Sequence, residues 1–203
     1  MRDYLTFQTS NNFKSDIKEY FIKFHNEETY QHTLDVVEEL YNIKGEYGFI
    51  EEGSETACYC HDLGRVVKYD EILDFCKKNH IEVTEEEKLL PSILHQKISR
   101  YIAEKVFNIK DKRILDAVRY HTTSRANPSV IEMEVFLADK MSWKEEGYKE
   151  IADEIRNVIK VSKENAMLYY LRDLNKNKES LKLYHLDSIK AFEYFKESYS
   201  HLT

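Results

Sequence analysis

Five glycines and two prolines among 203 residues make up about 3% of the chain, against an average of roughly 12%, which excludes a β-sandwich or barrel with its many tight turns. A charged fraction of 33% beside 42% hydrophobic and 13% aromatic residues describes helices joined by short connections around an apolar core, and excludes wholesale disorder. The formal charge of −7 arises from 37 acidic and 30 basic residues without a run of lysines or arginines, so duplex nucleic acid is not an expected partner.

Along the chain, Ile17, Tyr20, Phe21 and Phe24 follow helical spacing after Ser15 as cap, and a second helix is predicted over 27–41. Residues 44–53 hold three of the five glycines and are read as a loop. A short helix over 56–62 is expected to end at Gly64 in a left-handed conformation. Ile72, Leu73, Phe75 and Cys76 give a helix stopping near Asn79. Thr84 with Glu87 spells a capping box, and Pro91 starts or kinks a helix carrying Leu94, Ile98, Ile102 and Val106. Residues 111–120 form the next helix with Ile114, Ala117 and Val118 inward, and 122–128 are a polar connection. Ser129 with Glu132 repeats the capping box before the apolar run 135–141. One longer helix is predicted over 148–174, then a polar stretch, then a final helix capped by Asp187 with Ile189, Phe192 and Phe195 inward.

The expectation is an all-α bundle of eight or nine helices forming one domain over 1–203, its core at about 25–145 and the helices of 148–203 packed on it. No stretch approaches the ~20 apolar residues of a membrane span, and the first residues lack the apolar centre of a secretory signal, so a cytoplasmic protein is expected. Cys58, Cys60 and Cys76 fit a reducing compartment. Two residues apart on a helix, Cys58 and Cys60 diverge by about 200° and are read as small buried hydrophobes. Trp143, Tyr169 and Tyr170 could serve a core or a homodimer interface.

Three histidines fall on apolar helical faces. His32 shares the stripe of Val36 and Leu40, His95 that of Ile98 and Ile102, and His121 that of Ile114 and Val118. Asp139 lies inside the run Val135-Phe136-Leu137-Ala138-Asp139-Lys140-Met141, and a carboxylate buried there costs several kcal/mol unless a cation neutralises it. Lys140 points about 100° away on a regular helix, which makes it a poor partner. Asp62 follows His61 at the end of another apolar stretch and raises the same question. A divalent metal answers both, since iron, manganese, zinc and cobalt accept imidazole and carboxylate ligands converging inside a bundle. Adjacent His61 and Asp62 can bind one ion only where the backbone leaves regular helix.

The order His32, His61-Asp62, Asp139 resembles the HD superfamily of metal-dependent phosphohydrolases, an all-helical family. Tyr30-Gln31-His32-Thr33-Leu34, Cys60-His61-Asp62, Ile93-Leu94-His95, Arg119-Tyr120-His121-Thr122-Thr123 and Phe136-Leu137-Ala138-Asp139 are similar to its YqeK-type branch of symmetrical bis(5′-nucleosyl)-tetraphosphatases. The resemblance runs from about residue 25 onwards. It implies His32, His61, Asp62 and Asp139 as ligands of an iron-type ion. His95 and His121 then either bind a second metal with Asp62 bridging or hold substrate phosphate, and Asp62 orients or deprotonates the nucleophile beside catalytic His95 and His121. Symmetrical cleavage of diadenosine tetraphosphate is the implied reaction. A shared two-metal site requires His95 and His121 within ~8 Å of Asp62, because such ions sit about 3.5–4 Å apart.

Departures from that branch fall where phosphate is bound. Thr29 and Glu145 stand where the family has arginines, and Gln96, Ser99 and Ser124 where it has glycines. One charged hydrogen bond to phosphate is worth roughly 1.5–3 kcal/mol, so a changed substrate, another nucleotide or a phosphate ester, is expected. Arg65, Arg125, Lys68 and Lys140 are the available replacements, and the expected substrate-binding residues are Arg65, His95, His121, Thr122 and Arg125. The same six ligands also resemble HD-fold di-iron oxygenases, and the lost arginines are compatible with a non-catalytic nucleotide-sensing module.

Overall fold

A computed structural model describes residues 2–10 and 12–199. Its eleven helices are α1 Phe13–Lys23, α2 Glu27–Tyr47, α3 Ser54–Cys60, α4 Ile72–Lys78, α5 Glu85–Leu89, α6 His95–Lys105, α7 Lys112–Tyr120, α8 Val130–Met141, α9 Lys149–Val158, α10 Lys163–Lys176 and α11 Leu186–Ser198. Short 3-10 turns cover Leu63–Val66, Tyr69–Glu71, Pro91–Leu94 and Lys178–Ser180. No strand occurs among the described residues, and no helix among them is long and apolar enough to cross a membrane.

The centre of the bundle is α8. Every residue from Ile131 to Met141 is buried, because α2, α3, α7, α9 and α10 all pack on it. Its apolar residues join Leu40, Ile43, Ala57, Cys58, Val118, Ile155 and Leu171 in one continuous core. Four charged side chains of α8 are buried as well, and each has a counter-charge: Glu132 has Arg125, Glu134 has Lys163 at 2.6 Å, and Asp139 has Lys140. Burial of ions is tolerated in this way only when they are paired. Both capping boxes form, at Thr84/Glu87 and Ser129/Glu132. The three cysteines are free and buried.

Several local expectations are corrected. Asn12, not Ser15, caps α1, its side chain accepting from the Ser15 amide. The loop predicted from glycine content is half helix: α2 runs through Gly45 and ends with Gly48 left-handed at φ 78°. The predicted helix 148–174 is two helices, broken at Ser162, which caps α10. His185, not Asp187, caps α11, its ring accepting from the Asp187 amide at 3.1 Å. In the C-terminal part α9 packs on α8 and α10, and α10 on α8 and α11. Residues 200–203, at the end of the expected C-terminal helices, lie outside the described residues.

Gly64 is not left-handed. It sits inside the 3-10 turn Leu63–Val66, where a Cβ would collide with the backbone carbonyl of His95 and stand 2.8 Å from the Ser99 amide nitrogen. Its role is close approach: without a side chain there, the turn carrying Asp62 lies directly on α6, and the Gly64 amide donates to the Ser99 hydroxyl at 2.8 Å.

Candidate metal centre

The six candidate residues converge from five places. His32 lies near the start of α2, His61 and Asp62 directly follow α3, His95 opens α6, His121 follows α7, and Asp139 is in the last turn of α8. Asp62 has φ −108° and ψ 14°, off regular helix, and this break lets the adjacent His61 and Asp62 side chains meet.

Three of the imidazoles are oriented by one repeated device. The Nδ1 atoms of His61, His95 and His121 lie 2.7, 2.7 and 2.8 Å from the carbonyl oxygens of Cys58, Ser92 and Val118. Each carbonyl lies three residues before its histidine, in the preceding helical turn, and that of Ser92 also accepts the His95 amide. A carbonyl only accepts, so Nδ1 donates and Nε2 faces the interior. Burial pushes the His61 imidazole down to about 4 and holds His95 well below its ordinary value, with Arg65 adding to the effect. Both therefore present bare Nε2 lone pairs at neutral pH.

These atoms gather around Asp62. Its Oδ1 is 3.3 Å from His95 Nε2 and 3.4 Å from His121 Nε2, well inside the limit for a shared site. Its Oδ2 is 3.6 Å from His61 Nε2 and 3.8 Å from His32 Nε2. The Nε2 atoms of His95 and His121 are 3.1 Å apart, and those of His61 and His32 are 3.4 Å apart. Asp139 Oδ1 lies 3.2 Å from His32 Nε2. Asp62 Oδ1 is fully buried and has no hydrogen-bond partner among the described residues. An unpartnered buried carboxylate oxygen among imidazole lone pairs is unfavourable, and a cation removes the penalty. The donor atoms form two groups, His32/His61/Asp62 and Asp62/His95/His121, each within 4.8 Å. Neutral imidazole with carboxylate is a donor set for a divalent transition metal, so the residues fit one.

The carboxylates are ionised in spite of burial. Burial acts to raise Asp62, but the Arg65 guanidinium, with Nε 2.6 Å from Oδ2, holds it well below the usual carboxylate range. Burial likewise opposes Asp139, and Lys140 holds it low. The His32 imidazole is depressed by burial but raised on balance by Asp139 and Asp62.

Lys140 overturns the expectation that it is a poor partner for Asp139: its Nζ is 2.6 Å from Asp139 Oδ2. The Cα–Cβ directions do diverge, but α8 ends one residue later, and the four-carbon stem folds back. The ammonium lies 4.9 Å from the ring centroids of both Phe136 and Trp143. Thr122 Oγ1 stands 3.1 and 3.0 Å from the Nε2 atoms of His95 and His121. Arg65 and Thr122 line the cleft over the centre. Arg125 is elsewhere engaged, with Glu132 at 2.6 Å and Asp116 at 3.5 Å, and does not line that cleft. Ser124 occupies a left-handed position at φ 58°, where the resembled branch has glycine. Backbone carbonyls that set the imidazoles left no trace in residue types, whereas a lysine inside an apolar run was a signal available for Lys140.

The family model for the HD domain matches residues 29–144. Over 111 residues the chain is 35% identical to an uncharacterized protein in the pepC 5′ region of Lactococcus lactis subsp. cremoris, spanning 55% of this chain and 57% of that protein. Over 121 residues it is 31% identical to the symmetrical bis(5′-nucleosyl)-tetraphosphatase of Halalkalibacterium halodurans, spanning 56% and 60%. The chain thus spans less than two thirds of the length of these relatives. Among solved structures, an HD superfamily hydrolase involved in NAD metabolism from Clostridium acetobutylicum superposes with a TM-score of 0.80 at 25% identity, covering 94% of this chain and 99% of that one.

Proposed function

Because the chain belongs to the HD domain family, we propose that it is a metal-dependent phosphohydrolase acting on a small nucleotide or related phosphate ester. The observation that carries this reading is the buried, unpartnered Asp62 Oδ1 facing the Nε2 atoms of His95 and His121. His32, His61, Asp62 and Asp139 would hold one ion, and Asp62, His95 and His121 a second where one binds. A bound ion of this kind, iron or else manganese, cobalt or zinc, supplies Lewis acidity and a water of lowered pKa.

The protein's own groups do the rest. Asp62, kept ionised by Arg65, is placed to orient a water or take its proton. Arg65 carries its remaining N–H groups toward the cleft, where they disperse charge on a phosphoryl oxygen. Thr122 offers a hydroxyl to the same space. The kinship with the named tetraphosphatase supports a nucleotide substrate.

The test is metal content and phosphate release after anaerobic reconstitution with iron(II) or manganese(II), for wild type and Asp62→Ala. The expected outcome is at least one ion per wild-type chain with hydrolysis, and loss of both in the variant. Less than about 0.1 ion per chain would contradict the reading. The two ligand groups joined through Asp62 also suit a dioxygen-activating pair, so an oxygen electrode belongs in the assay. Oxygen consumption without phosphate release would favour that second reading.

A further inference from the structure

Two cavities lie on either side of Arg65, one touching His95 and the other His32, Asp62 and Asp139, and their linings differ in charge. Arg65 lines both. The first, about 480 Å³, runs from His95 past Arg65 to Lys68, Arg2 and His25. No Asp or Glu is among its described lining residues; Glu71, which accepts the Arg2 amide and the Tyr4 hydroxyl, is not one of them. His25 is held at φ 56° just past α1, an uncommon conformation for a residue with a side chain.

The second cavity, about 620 Å³, opens from His32 and Asp139 toward Glu28, Glu145, Trp143 and Tyr148. Its two lysines are already engaged, Lys140 with Asp139 at 2.6 Å and Lys144 with Asp35 at 2.8 Å. Glu145 accepts a backbone bond from Lys144 at 3.2 Å and has no ion-pair partner among the described residues. The Trp143 and Tyr148 rings stand edge to face at 5.0 Å, and Tyr148 is 54% exposed. In the first arm Arg65 is paired with Asp62 at 2.6 Å, and Lys68 feels the charge of Glu71 behind the lining. With Arg2, Arg65 and Lys68 and no acid among its described lining residues it is nevertheless the cationic arm, and the second is acidic and aromatic.

We propose that this cleft takes an asymmetric substrate, a single nucleoside 5′-di- or triphosphate, with its phosphate chain in the cationic arm and its base in the acidic aromatic arm. The inference rests on the phosphohydrolase reading. A phosphate chain in the second arm would meet Glu28 and Glu145, whereas a base offers a π face to Trp143 and amino N–H donors to those carboxylates. A symmetrical dinucleotide would require cations in both arms. In the reaction, a water oxygen bonds to the phosphorus nearest the nucleoside. The anhydride P–O bond breaks, its electron pair leaves on the departing phosphate chain beside Arg65 and Lys68, and the water proton is released. A nucleoside triphosphate and water give a nucleoside monophosphate and pyrophosphate.

The manganese-loaded protein is assayed by ³¹P NMR with ATP, diadenosine tetraphosphate and p-nitrophenyl phosphate. ATP is expected to give AMP and pyrophosphate, with label from ¹⁸O water on AMP. Lys68→Glu should lower the ratio of kcat/KM for ATP to that for p-nitrophenyl phosphate at least about tenfold, the worth of one charged hydrogen bond. Lys78→Glu, exposed on α4, should leave the ratio unchanged. Independently of turnover, fluorescence of Trp143, the single tryptophan, should be quenched by AMP and not by tripolyphosphate. Faster cleavage of diadenosine tetraphosphate to two ADP, an unshifted ratio in Lys68→Glu, or equal quenching by tripolyphosphate would overturn the proposal while leaving the phosphohydrolase reading intact. Absence of hydrolysis of all three compounds would overturn that reading itself.

Discussion

Lys140 shows how a single side chain sets the charge of the centre. With Asp139 Oδ2 bound to its ammonium at 2.6 Å, the carboxylate has only Oδ1 to turn toward His32 and an ion. Removing one member of a buried pair strands the other, at a cost of about 3–5 kcal/mol. Lys140→Met should therefore lower the stability of the metal-free protein by about that much, and a bound ion should restore part of it by neutralising Asp139. Chemical denaturation with and without manganese(II) checks this; an equal loss in both conditions would contradict it. The six candidate ligands themselves were legible in the sequence because polar residues on apolar faces demand a reason. The geometry of Lys140 was not, because angular spacing on a helix describes Cβ directions and not the reach of a long stem.

At the level of elements, the turn that carries Asp62 and the helix that begins with His95 are held together by the absence of a side chain at Gly64. Gly64→Ala should push them apart, since the new Cβ meets backbone atoms of His95 and Ser99. The expected result is destabilisation by about 1–3 kcal/mol together with weaker metal binding, measured by calorimetric titration; a destabilised protein with unchanged affinity would refute the positional role. Farther out, Glu87 fastens three elements. Its carboxylate closes the capping box of α5 through the Thr84 amide at 2.8 Å, accepts from Lys97 of α6 at 2.7 Å, and faces His185, the cap of α11, at 3.4 Å. Burial acts to raise this acid, but the bonds from His185, Lys97 and Thr84 pull it from 4.5 to about 2. A depressed carboxylate contributes stability that is present above its ordinary value and is lost as pH falls through the folded one. Glu87→Gln should therefore remove about 3 kcal/mol of stability near neutrality and flatten the loss between pH 4.5 and 2 in thermal melts. An unchanged acid limb would contradict the assignment. Both capping boxes were legible because their spelling is local. The break between α9 and α10 was not, since apolar spacing persists across Ser162 and hides its cap, in which the hydroxyl accepts from the Asn165 amide at 3.0 Å.

Across the whole molecule, scarcity of glycine and proline fixed the class of fold, and the central burial of α8 explains how five separate stretches deliver ligands to one place. That convergence is long-range, so periodicity within any one helix could not reveal it; the motif order did so through resemblance. The central claim is that Asp62 is the carboxylate around which metal is bound. Anomalous diffraction from crystals of the manganese-loaded protein tests it most directly. At least one anomalous peak is expected within about 2–2.3 Å of an Asp62 oxygen and of imidazole Nε2 atoms, and it should disappear in Asp62→Ala. Manganese bound stoichiometrically at a position that excludes Asp62, or a peak unchanged in that variant, would contradict it.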